Sequence, residues 1–189
     1  MAEAFAPTRA DAWALLNTYT KSESLLKHAL AVEVCMRAYA RHFNANEEEW
    51  AVTALLHDMD YEQHPTAEEH PMAGVAILRE QGYPEDIVEA IMGHANYLQV
   101  PRRTLMAKTL YAVDELTGFV SAVALVRPSK KVADVEYSSV KKKMKDKAFA
   151  RTCNREEMLE GATELGVEFD EHVRFVISAM ADKADILGL

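Results

Sequence analysis

The sequence predicts an all-α fold, with its 189 residues forming a single helical domain. Three observations carry this reading. Apolar residues recur at three- and four-residue spacing through most of the chain, and no run shows a convincing strand pattern. Capping and stop residues separate these stretches at helix-length intervals. Two cysteines, Cys35 and Cys153, form no CxxC pair, so neither a disulfide scaffold nor a zinc-thiolate site has to hold the core together.

In chain order, a short first helix follows Thr8. A second spans about 22–43, its apolar residues Leu25, Ala29, Val32, Met36, Tyr39 and Phe43 lying on one stripe. Asn46 followed by Glu47, Glu48 and Glu49 is an N-cap with acids in the first turn, opening a third helix that runs to about Asp58. MDYEQHPTAEEHP then breaks the pattern and reads as a loop. Pro71 and Pro84 suit the first turns of helices over about 71–81 and 84–94, with Gly82 as the stop between them. A long helix over about 103–126 ends before Pro128, and a short one is expected at 138–147. Asn154 caps a helix that ends at Leu165–Gly166, and a last helix spans about 168–186. The chain is thus read as a core over about 22–126 with a helical extension over 127–189.

Hydrophobic residues make up 49% and charged residues 27%, a globular balance. The first residues lack a signal-peptide pattern, and Leu116–Val126, the longest apolar stretch, is too short to span a bilayer, so a cytoplasmic protein without a membrane partner is expected. Net charge of −9 argues against a nucleic-acid polymer as ligand. The charge is uneven: residues 127–151 hold nine Lys/Arg against three Asp/Glu, which makes that segment +6 and the remainder −15.

Four helices place an ionisable residue on or beside an apolar stripe: His28, Asp58 (next to His57), His94 and Asp114. A lone histidine in such a position is usually a hydrogen-bonded core residue. Two inward carboxylates whose stripes carry no Lys or Arg require another cation. Imidazole and carboxylate together are the usual ligands of zinc, iron, manganese or nickel.

The order His28, His57-Asp58, Asp114 on a helical chain resembles the HD-domain superfamily of metal-dependent phosphohydrolases, over roughly Leu25 to Phe119. His70 in EEHPMAGVAILRE and His94 in AIMGHANY resemble the extra histidines of the dinuclear branch, which includes the HD-type diadenosine tetraphosphate hydrolases. HDMDYE is similar to the loop of small single-domain HD hydrolases. The resemblance implies that His28, His57, Asp58 and Asp114 hold a first metal. It implies that Asp58 bridges to a second, held also by His70 and His94. Iron, manganese, zinc, nickel or cobalt would serve, as one or two divalent ions. Metal-activated water would then cleave an ester or anhydride of a small phosphorylated molecule, with a nucleotide as the expected class.

Asp58, Asp60 and Glu62 are the catalytic candidates, the last two because related families use acids in the loop after HD. Their spacing here differs from those families. Diadenosine polyphosphate members carry a lysine shortly after HD, and this chain has none there. A non-catalytic HD module binding a nucleotide or metal, and a diiron HD oxygenase, are the alternatives. The expected partners are the small substrate and, at most, a second copy in a homodimer. Lys130 and Lys131 are candidate phosphate contacts, Tyr97 a stacking residue and His64 a substrate contact from the loop. His42 reads as a helix-end cation, and His172, near Phe169, Val173 and Val176, as core packing.

Overall fold

The computed structural model describes residues 6–189, so the reading of the first five residues lies outside the described part. Every described element is helical. The α-helices are α1 (Arg9–Tyr19), α2 (Glu23–His42), α3 (Glu47–Leu56), α4 (Met72–Glu80), α5 (Glu85–His94), α6 (Leu105–Leu125), α7 (Tyr137–Met144), α8 (Arg155–Leu165), α9 (Phe169–Ala181) and α10 (Ala184–Leu187). The chain groups into two compact units that meet in sequence at Leu110 and Tyr111, within α6.

In the first unit α3 is the centre, with α1, α2 and α5 packed against it and α4 against α5. Trp50 through Leu56 are all buried, as a helix enclosed on every side requires. Asn46 caps α3 by accepting from the Glu48 and Glu49 amides, and Thr8 and Asp11 form a capping box on α1. The buried stripe of α2 runs from Ala29 through Val32 and Met36 to Tyr39. His42 is exposed in the last turn of α2, its ring against Tyr39 and Phe43. Pro71 and Pro84 stand at the N-cap positions, so α4 and α5 begin one residue later than a first-turn proline implies.

α3 stops at Leu56, and residues 57–63 continue as tight turns sewn to the junction between α1 and α2. Thr20 Oγ1 donates to the Met59 carbonyl (3.1 Å) and Gln63 Nε2 to the Tyr19 carbonyl (2.8 Å). The N-cap of α2, Ser22, supplies no side-chain cap. Glu62 instead fixes the chain just before the helix, its Oε2 accepting from the Lys21 and Ser22 amides at 2.7 and 2.9 Å.

In the second unit α8 lies so close to α6 that a Cβ at Gly161 would come within 2.6 Å of the Ala112 Cα, so only glycine fits. α9 buries His172, Val173, Val176, Ile177, Ala179 and Met180. The last helix expected over 168–186 is broken. Its buried stripe ends at Met180, Asp182 and Lys183 are exposed, and a short α10 then brings in Leu187. α7 also ends early, at Met144. The Arg155 guanidinium gathers the carbonyls of Asp146, Phe149, Ala150 and Cys153, which fixes the following segment as turns instead of helix.

Candidate metal centre

Asp58 sits one residue past the C-cap of α3, in the first of the tight turns, its side chain 21% exposed. Four imidazoles face its carboxylate, each through Nε2. Oδ2 lies 3.8 Å from His28 and 3.5 Å from His57. Oδ1 lies 3.3 Å from His70 and 3.3 Å from His94. One oxygen therefore addresses the histidines of α2 and the α3 end, and the other addresses those at the two ends of the α4–α5 hairpin. His70 and His94 stand with their Nε2 atoms 3.2 Å apart.

The opposite ring nitrogens explain why Nε2 points inward. His57 Nδ1 is 2.7 Å from the Ala54 carbonyl, and His94 Nδ1 is 2.5 Å from the Ile91 carbonyl. A carbonyl only accepts, so in both rings Nδ1 carries a proton, and whenever the ring is neutral its lone pair lies at Nε2. His70 Nδ1 is 2.8 Å from Asp60 Oδ1, which orients the third ring in the same way. Arg102 packs along Gly93 and donates to its carbonyl (2.8 Å), holding the α5 end beside His94.

These donors fit a divalent cation. Ligands about 2.1 Å from an octahedral or tetrahedral ion stand roughly 3.0–3.4 Å from one another, which brackets most of the separations here. Asp58, His70 and His94 each offer a ligand atom, all within 4.8 Å of one another. The electrostatics agree with a site built for positive charge. Burial alone would raise the Asp58 pKa, but the charge of His57 and the hydrogen bonds from His70 and His94 hold it well below the usual carboxylate range. Burial would lower the pKa of His70, yet its hydrogen bonds to Asp58 and Asp60 raise it to about 9.

The remaining candidates fall in several places. Asp60 is 1% exposed, with Oδ1 on His70 and Oδ2 accepting from the Gly74 amide at 2.7 Å. Glu62 is exposed and engaged with the start of α2. His64 is partly exposed, its Nδ1 3.3 Å from Glu69 Oε1. Tyr97 is half exposed, and its hydroxyl donates to the His70 carbonyl. Asp114 lies on α6 past Leu110, in the second unit, as do Lys130 and Lys131, which are exposed in the turn after α6. His172 is 1% exposed and donates from Nε2 to the Ala112 carbonyl (2.9 Å), a core histidine whose pKa burial lowers.

Sequence reasoning passed over three residues. The Tyr61 ring lies edge-on to His70 at 5.2 Å between centroids and is 41% exposed, which makes it a second tyrosine beside the centre. Gly74 lets the α4 backbone reach Asp60. Glu33 is a buried acid of α2 whose signal was Arg37 four residues on.

Residues 25–118 match the family model of the HD domain, a span that contains all six residues of the proposed ligand set. No solved structure gives a significant match. No helix among the described residues is long and apolar enough to cross a membrane. HD domains bind divalent metals and are in general metal-dependent hydrolases. With its all-helical fold, its family match and its histidine–aspartate centre, the chain belongs to the HD-domain family.

Proposed function

We propose that the protein is a metal-dependent phosphohydrolase acting on a small phosphorylated molecule, with a nucleotide as the expected class. The observation that carries this reading is the Asp58 carboxylate, with each oxygen facing a different pair of imidazole Nε2 atoms. That arrangement favours two ions sharing Asp58. One would be held by His28, His57 and Asp114, with Asp114 assigned from its place in the family pattern. The other would be held by His70 and His94. Bound there, divalent ions supply Lewis acidity toward a phosphoryl oxygen and lower the pKa of a coordinated water to about 7.

The chain's own residues do the rest. Ala54 and Ile91 carbonyls hold a proton of His57 and of His94 on Nδ1, which leaves Nε2 as the ligand atom of each ring. Tyr61 and Tyr97, both substantially exposed beside His70, offer faces against which a base or sugar could rest. Lys130 and Lys131 are the proposed phosphate contacts, since a chain of net charge −9 otherwise repels a polyanion.

The test is elemental analysis of protein purified without chelators, followed by a screen of phosphorylated metabolites with the metal found. The reading predicts bound transition metal and release of phosphate or a phosphorylated product. Bound metal without turnover of any phosphorylated compound would favour a regulatory module. A coloured, redox-active centre that consumes oxygen would favour an oxygenase.

A further inference from the structure

We propose that Asp60 is a positioning residue, whose task is to fix His70 as a metal ligand, and that Gly74 is glycine so that Asp60 can do so. The inference rests on the metal reading above. Asp60 is 1% exposed, and a carboxylate this deeply buried needs partners for both oxygens. Oδ1 meets His70 Nδ1 at 2.8 Å, and Oδ2 meets the Gly74 amide at 2.7 Å. Both partners act as donors. Asp60 is thereby held from one side by the backbone of α4 and holds the imidazole on the other.

The consequence lies at the far side of the ring. His70 Nε2 is 3.3 Å from Asp58 Oδ1 and 3.2 Å from His94 Nε2. It can ligate only in the tautomer and rotamer that put the proton on Nδ1, toward Asp60. The other two oriented rings use main-chain carbonyls of their own helices, three residues back in each case. His70 precedes α4, in the turn that leads into the helix, and its Nδ1 acceptor instead comes from a side chain ten residues away. A carboxylate behind a ligating imidazole also makes the imidazole a stronger ligand.

Gly74 completes the device. A Cβ there would approach Asp60 Cγ to 3.2 Å and Oδ2 to 3.3 Å, so any larger residue would crowd the carboxylate by a few tenths of an ångström where it holds His70. The arrangement also accounts for the acid two residues after Asp58 without placing it in contact with substrate.

The experiment is Zn²⁺ titration of chelator-stripped protein against a chromophoric competitor, on wild type, Asp60→Asn, His70→Ala and the double variant. Asparagine matches aspartate in shape, but its single oxygen can serve only one of the two donors. Asp60→Asn should weaken the more labile Zn²⁺ equivalent by about 10- to 100-fold. In the His70→Ala background the same change should cost almost nothing, because Asp60 acts through that ring. A merely structural role would cost the same affinity in both backgrounds, and that result overturns the proposal. So does an Asp60→Asn protein that binds as wild type. Zn²⁺ failing to bind wild type at all would instead defeat the metal reading itself. Should Asp60→Asn not fold, Gly74→Ala takes its place in the cycle, since it leaves the carboxylate present and crowds it against its two donors. Imidazole ¹⁵N shifts of the Zn²⁺ form give a second readout. His70 should show Nδ1–H in wild type and lose that single-tautomer signature in either variant.

Discussion

Glu33 and Asp58 are both acids of the first unit drawn away from solvent, and the difference between their surroundings separates structure from function. Glu33 is 5% exposed and lies between two guanidiniums. Its Oε1 accepts from Arg9 Nε at 2.8 Å and Arg37 Nε at 3.0 Å, and its Oε2 from Arg9 Nη2 at 2.9 Å. Arginine is charged at every accessible pH, so this site is complete as built and serves to join α1 to α2. Asp58 is ringed by imidazoles, which carry charge only when protonated and otherwise present lone pairs. Since His57 and His94 already spend their Nδ1 protons on carbonyls, the cation Asp58 requires must come from extra protons or from a metal. An acid among arginines is satisfied by the fold, whereas an acid among oriented imidazoles is completed by something that binds.

The largest expected effect comes from breaking the second arrangement. Asp58→Ala removes the one group both imidazole pairs face, and should reduce metal content to near zero and hydrolysis to background. Glu33→Ala should do the reverse. It leaves two guanidiniums without their shared carboxylate and should lower stability by about 2–3 kcal/mol in urea denaturation, tempered because Arg9 is 37% exposed. Metal content should be unchanged. Metal loss in the Glu33 variant, while it remains folded, would erase the distinction drawn between the two acids.

Chelation sharpens the comparison. Removing metal should lower the melting temperature of wild type and of Glu33→Ala by similar amounts, since a ligand present at 100 times its Kd contributes about 2.7 kcal/mol. Asp58→Ala should not respond to chelator. Replacing Lys130 and Lys131 together by glutamine should lower kcat/KM for an anionic substrate by about tenfold, less as ionic strength rises, with metal content intact. A double variant equal to wild type on every phosphorylated substrate would make these lysines a solvated surface.

The smallest effect is expected at His172. Burial lowers its pKa below the ordinary 6.5, so the unfolded state binds the proton more readily than the folded one. Stability should therefore fall as pH drops from about 6.5 toward the depressed folded value. His172→Gln should flatten that part of the pH–stability curve, with about 1 kcal/mol lost near neutrality and metal content unchanged.

Much of this was legible in the sequence because the signals were local. Asn46, Thr8 and Asn154 cap the helices they precede, and the α2 stripe from Ala29 to Tyr39 is buried as its spacing implies. The grouping of Asp58 with His28, His57, His70 and His94 followed from residue order and family resemblance. What escaped depended on contacts distant in sequence. Whether Asp60 and Glu62 face a substrate or the protein cannot be read from their spacing after His57. It depends on where Gly74 and the Ser22 amide lie once α4 and α2 have packed. The break between α9 and α10 likewise depends on where the buried surface ends, not on any strong stop signal at Asp182 or Lys183.

The proposed two-ion centre depends on the Asp58 carboxylate as its shared ligand. The most direct measurement is metal stoichiometry on chelator-stripped protein titrated with Zn²⁺ or Mn²⁺, comparing wild type with Asp58→Ala. Wild type should bind two equivalents and the variant should retain neither tightly, with both proteins folded. An Asp58→Ala protein that takes up the full wild-type complement would contradict that dependence.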